Sequence, residues 1–207
     1  MKCWNCQAES TAADLCPRCG KVQPLPVEAT LFQAAGLPRG VDVDVGQLER
    51  NYRERSLLFH PDRVGKEDPR ERRVALERTA QLNEAYRTLK SPESRAFYLL
   101  KLHGVDLRRD EATGSAVPAE LLEEVLELRE QLEDAHRRGD EEMVSVLSDR
   151  VRTQSATALS AAQSALRRLE QQPADTEARA EATHALARLR YHHRFLEAVD
   201  AGGEEEI

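Results

Sequence analysis

Apolar residues in this chain recur at helical spacing over most of its length, and β-branched or aromatic runs are scarce. The clearest stripe is Leu121, Val125, Leu128, Leu132 and Ala135, which steps i, i+4, i+7, i+11, i+14 along one helix face. Val74, Leu76, Ala80, Leu82, Ala85, Tyr86 and Leu89 fit the same period and predict a long helix with Pro69 as its first residue. Before it, Leu48, Tyr52 and Phe59 predict a helix that starts at Asp44-Val45-Gly46-Gln47, a D-x-x-Q cap, and breaks at Pro61. Arg55 falls on that apolar stripe. Its stem is expected to lie along the core edge with the charge exposed. Leu31, Phe32, Ala34 and Ala35 predict a short helix of about two turns within 28–36, stopped by Gly36, Pro38 and Gly40. Ser91-Pro92-Glu93-Ser94 ends the long helix and caps another over 92–103, carrying Phe97, Leu99, Leu100 and Leu102.

Three further helices are expected near 118–138, 140–171 and 175–201, parted at Gly139 and Pro173. Short connections favour antiparallel neighbours, hence a three-helix bundle. The predicted fold class is therefore all-α. A small N-terminal knuckle or ribbon precedes an antiparallel helical hairpin with short flanking helices, and a C-terminal three-helix bundle follows. The expected division is 1–24, 26–104, a polar connector over 105–117, 118–201, and a disordered tail over 202–207, with 21–26 as an extended linker.

Composition narrows the function. A net charge of −7 gives no concentrated excess of Lys and Arg for phosphates, so nucleic acid is not an expected partner and proteins are. With aromatics at 4%, the cores must be built mainly from Leu, Ala and Val, which carry little pocket chemistry. No stretch nears the roughly 20 apolar residues that cross a bilayer, and no charged segment with an apolar run opens the chain, so a cytoplasmic protein without a membrane partner is expected.

All four cysteines lie in the first 19 residues, as Cys3-x-x-Cys6 and Cys16-x-x-Cys19. In a reducing compartment two such turns present four thiolates to one ion. Zinc in a closed, structural S4 site is the favoured reading, and a redox dithiol or a rubredoxin-type iron site are the alternatives. A thiol oxidoreductase predicts one reactive low-pKa thiol, whereas a zinc site predicts four shielded ones.

His60-Pro61-Asp62 lies between two helices and is followed by Arg63. By itself it fits an ordinary interhelical turn. A catalytic His-Asp pair is disfavoured because no Ser or Cys nucleophile accompanies it. On the bundle's first helix, Leu122 and Leu126 fall outside the core stripe, about 100° further round, flanked by Glu127 and Glu130. Periodicity leaves two readings open, a wide core stripe or a protein-docking patch.

The H-P-D turn, the helix 52–59 before it and Leu82-Asn83-Glu84-Ala85-Tyr86-Arg87-Thr88-Leu89 after it resemble the J domain of the DnaJ superfamily. Ser91-Pro92-Glu93-Ser94-Arg95-Ala96-Phe97-Tyr98-Leu99-Leu100 and Leu126-Glu127-Leu128-Arg129-Glu130 resemble the HscB co-chaperones of iron-sulfur cluster assembly, over about residues 28–199. The resemblance implies a non-enzyme that stimulates the ATPase of an HscA or DnaK-type chaperone through His60, Pro61, Asp62, Arg53 and Arg63. It also implies an IscU-type scaffold protein bound by Leu122, Leu126, Glu127, Glu130 and Tyr191, with Leu121 or Val125 at the patch edge. The cysteine pairs resemble the tetracysteine extension of mitochondrial relatives. Without an Arg- and Ser-rich presequence, a bacterial cytoplasm is expected, or the mitochondrial matrix for a processed eukaryotic form. A monomer is expected. The competing binding-module reading is a zinc-ribbon J protein with another client.

Overall fold

The computed structural model of the protein describes residues 2–9, 14–60, 63–64, 68–107 and 119–201. Pro61 and Asp62 of the expected docking loop, most of the expected connector and the expected tail lie outside the described residues. Among the described residues the chain is all-helical, with seven helices, no strand, and two isolated antiparallel bridges, Lys2 with Glu9 and Leu15 with Val22. It divides into two compact units, Met1–Arg95 and Ala96–Ile207.

In the first unit, α1 (Leu31–Ala35) is one turn and a half rather than the expected two. Thr30 closes a capping box with Gln33, and Gly36, in the left-handed region at φ 68°, ends the helix. α2 (Val45–Phe59) starts on the Asp44 cap, whose side chain accepts from the Gln47 amide. α3 (Pro69–Lys90) starts with Pro69 at its first position behind Asp68, which accepts from the amides of Arg70 and Glu71. α2 and α3 form the hairpin. Tyr52 stacks on Tyr86 at 4.3 Å, the Tyr52 hydroxyl donates to Asn83 Oδ1, and Lys90 pairs with Glu49. Phe59, Val74, Ala75 and Leu82 are buried between them. Leu76, expected on the core stripe, is half exposed because its neighbour Ala75 takes the core position.

Arg55 corrects its expectation. Its Nη1 donates to the carbonyls of Gln33 and Ala34 in the last turn of α1, where Gln33 O also accepts from the Gly36 amide, and its Nε lies 3.1 Å from Asp14. A β-carbon on Gly36 would collide with this guanidinium. The residues expected to form a linker also have a structural role. Val22 and Gln23 are buried, and Val22 packs with Phe59 and Val64. The cysteine segment thus belongs to the same compact unit as the hairpin.

α4 (Pro92–Leu102) follows the Ser91 turn, where the Ser94 amide donates to Ser91 Oγ. Arg95 is buried and donates to the carbonyls of Val41 and Leu89, tying the end of α3 to the loop before α2. The second unit contains α5 (Ala119–Arg138), α6 (Glu141–Gln171) and α7 (Thr176–Asp200), each packed on the other two. Gly139, at φ 65°, turns α5 into α6. Ala158, Ala162 and Ala165 of α6 and Ala178 and Ala182 of α7 are buried, and such small residues permit close helix approach. Leu128, Leu132, Leu147, Val151, Phe195 and Ala198 form the core where all three helices meet. Glu124 of α5 pairs with Arg188 of α7 at 3.1 Å.

Candidate functional site

The two cysteine turns share one local structure, displaced by 13 residues. Cys3 N–H donates to Ala8 O and Gln7 N–H to Cys3 O; Cys16 N–H donates to Lys21 O and Gly20 N–H to Cys16 O. The residue after each second cysteine, Gln7 or Gly20, adopts positive φ, at 59° and 70°. This places the four thiols at one point, with every Sγ within 4.8 Å of the others and the Cys3–Cys19 and Cys6–Cys16 pairs at 3.7 Å. Sulfurs about 2.3 Å from a tetrahedral zinc would lie about 3.8 Å apart, so the residues fit that ion.

The four thiols also perturb one another. Burial opposes ionisation of Cys3, but the backbone amides of Cys6 and Asn5 and the Cys16 and Cys19 thiols outweigh it, lowering its pKa to about 6. For Cys6 the Ala8 amide favours the thiolate, yet burial and the other three sulfurs push the pKa up to about 11. The Lys21 amide, against opposing burial, leads the lowering at Cys19. Four sulfurs this close compete for the same negative charge. A bound divalent cation would relieve that competition.

On α2, Arg50, Arg53, Glu54 and Leu57 are exposed along one face, and His60 and Arg63 continue the exposed surface past the helix end. Leu57 is 59% exposed. Arg53 lies 3.9 Å from Glu49 one turn earlier, and the Arg63 Nη1 donates to the Leu57 carbonyl at 3.4 Å. The carbonyl of His60 accepts from the amides of Arg63 and Val64, so a turn closes the helix.

On α5 the two readings of Leu122 and Leu126 separate. Leu121, Leu128, Leu132 and Ala135 are buried, whereas Leu122 is 44% and Leu126 57% exposed. The core stripe is narrow and these two leucines are surplus to it. Val125 is only half buried, at the edge of the stripe, and Glu127 and Glu130 are exposed. Tyr191 of α7 is also half buried, one turn beyond the Arg188 that pairs with Glu124, with the Arg194 guanidinium 5.4 Å from its ring centre.

Residues 32–98 match the DnaJ domain model, and residues 117–200 match the HSCB C-terminal oligomerisation domain model. The fold aligns with the crystal structure of human co-chaperone protein HscB at a TM-score of 0.79, with 25% identity, over 97% of this chain and 98% of that one. The chain belongs to the HscB family of J-domain co-chaperones. Among relatives, the "Iron-sulfur cluster co-chaperone protein HscB homolog" of Arabidopsis thaliana is 38% identical over 133 residues, 64% of this chain and 51% of that protein. The "Co-chaperone protein HscB homolog" of Ralstonia nicotianae is 44% identical over 111 residues, 54% of this chain and 62% of that protein. The matched regions thus span about half to two thirds of these relatives' length.

Several residues of this HscB-family chain were missed by sequence reasoning. Asp14, between the cysteine pairs, pairs with Arg55 of α2 and Arg78 of α3. Lys21 pairs with the buried Glu71, which raises the Lys21 pKa against the opposing effect of burial. Trp4 donates from Nε1 to Val22 O at 2.7 Å and carries the Arg70 guanidinium over its ring. An Arg at 78 on a helix otherwise reading as amphipathic was the available signal, because a cation on a buried face requires a partner. Among the described residues no helix is long and apolar enough to cross a membrane.

Proposed function

We propose that this protein is an adaptor in iron-sulfur cluster assembly. Its first unit docks on an HscA or DnaK-type chaperone and stimulates ATP hydrolysis, and its α5 surface holds an IscU-type scaffold protein. The chain itself does no bond chemistry. The carrying observation is the exposure of Leu122 and Leu126 beside a filled core stripe, because desolvating such a pair is worth most when a partner covers it. Glu127, Glu130 and Tyr191 complete the patch and supply groups that fix orientation. On the first unit, Pro61 restricts His60 to extended geometry and so limits the entropy lost on docking. Asp62 offers a carboxylate to a basic group of the chaperone, and Arg53 and Arg63 add electrostatic steering.

The metal in this reading is zinc, held by Cys3, Cys6, Cys16 and Cys19. Four protein ligands leave no open position, so its contribution is structural. The protein acts as a monomer in the cytoplasm, or in the mitochondrial matrix of a eukaryotic cell, without nucleic acid or membrane partners.

A coupled ATPase assay with the DnaK-type partner, with and without the scaffold protein, tests both arms. Asp62→Asn is expected to abolish stimulation and keep scaffold binding. Leu126→Ala combined with Tyr191→Ala is expected to weaken scaffold binding about tenfold or more and keep basal stimulation. Two variants indistinguishable from the parent would end this assignment.

A further inference from the structure

The cysteine segment is bound to the hairpin at three separated points. At the first, the Asp14 carboxylate sits between the guanidiniums of Arg55 from α2 and Arg78 from α3. Arg78 is 3% exposed and lies over the Phe59 ring at 4.6 Å, with Asp14 as its ion-pair partner. At the second, Lys21 reaches Glu71 and Asp68 at the start of α3. At the third, Val22 closes the cluster of Phe59, Val64, Val74, Ala75 and Leu82, with Leu15 against its edge.

All of these contacts hang on the cysteine turns. Leu15 and Val22 are joined by the isolated bridge that flanks the second turn, and Gln23 N–H donates to Asp14 O. A segment of about 24 residues cannot bury a core sufficient to hold this geometry alone. Its order must come from the metal and from the hairpin together. Binding energy at the four sulfurs is therefore shared with the surface that Asp14, Lys21 and Val22 cover.

We propose that the metal-loaded cysteine segment is a brace for the α2–α3 hairpin, with Asp14 as the positioning residue, so that metal occupancy sets how well the chaperone-docking helix α2 is held. The proposal deepens the co-chaperone reading and rests on it for the meaning of α2. Its physical content is a linkage. Loss of the metal frees the turns, Asp14 leaves, and Arg78 remains a buried cation without a partner beside Phe59, the last residue of α2. The same loss uncovers the Val22 side of the cluster. The binding surfaces for metal and chaperone lie on different elements, which is what coupling between two sites requires.

The test uses the full chain, reduced throughout, with metal bound and after removal by a chelator, and reads amide hydrogen exchange in α2, α3 and the bundle helices. Stripping is expected to speed exchange around Phe59, Ala75 and Leu82 by roughly a hundredfold or more, the scale of orphaning a buried charge. α6 and α7 are expected to stay unchanged. Asp14→Ala is expected to show the fast exchange already with one equivalent of metal bound, whereas Asp14→Glu is expected to restore part of the protection. Unchanged exchange in α2 and α3 on stripping would overturn the brace, as would an Asp14→Ala protein protected like the parent. ATPase stimulation measured on the same samples separates the two readings. No stimulation by the loaded parent sinks the co-chaperone reading, while the exchange data still decide the brace.

Discussion

Acidification is expected to weaken the bundle through one side chain, His192. The imidazole is 1% exposed within the bundle, its Nδ1 lies 3.2 Å from Ser155 Oγ of α6, and its Nε2 has no hydrogen-bond partner among the described residues. Burial lowers its pKa below the usual 6.5. Glu124 opposes that shift, and Arg188 and His193 reinforce it. The folded state therefore keeps the ring neutral while the unfolded chain protonates it near 6.5, so unfolding takes up a proton at low pH and stability rises with pH. The loss begins as pH falls through about 6.5, grows by at most ~1.4 kcal/mol per unit, and levels off once pH passes below the depressed folded-state pKa. His192→Asn keeps a polar group for Ser155 and cannot titrate, and the volume it removes is a constant offset at every pH. The measurement is the free energy of opening from amide exchange in α6 and α7, between pH 7.5 and 5, for parent and variant. Trp4, the single tryptophan, lies in the other unit and serves as a control for changes there. Parallel pH profiles for parent and variant would refute the assignment of a buried neutral His192, as would a parent that gains stability on acidification.

Two further outcomes follow from the first unit. Arg95→Met is expected to destabilise that unit by about 2–4 kcal/mol, since the carbonyls of Val41 and Leu89 lose buried donors; urea unfolding followed by Trp4 fluorescence measures it. Gln7→Gly is expected to stabilise the same unit by about 1 kcal/mol, because position 7 sits at φ 59° where Gly20 sits in the equivalent turn; the metal-loaded melting temperature reads it.

The helices were legible because their boundaries are written in local chemistry. Asp44, Asp68, Asp140 and Asp175 each stand one residue before a helix and accept from its first free amides, and sequence spacing alone marks such caps. The core stripe on α5 was legible for the same reason, since a 3.6-residue period needs no knowledge of what it packs against. Whether Leu122 and Leu126 belonged to that stripe was not. Their burial depends on how far α6 and α7 wrap around α5, which is a property of the assembled bundle. The clustering of four sulfurs followed from two C-x-x-C turns at a fixed offset, but the identity of their ion does not follow from spacing.

The contacts that tie the cysteine segment to the hairpin were hidden for a different reason. Asp14 meets Arg78 across 64 positions, and Lys21 meets Glu71 across 50. Neither pair has a periodic signature, and each partner alone reads as a solvated charge. Arg55 shows how such a residue misleads. On sequence it is a flaw in an apolar stripe, excusable by a long stem with its head in water. In the fold its guanidinium takes two carbonyls at the end of α1 and the Asp14 carboxylate, so three segments depend on the one side chain. A charge on a buried face is thus better read as evidence that an unseen segment covers that face than as a defect in the helix. Here the covering segment is the one too small to fold by itself.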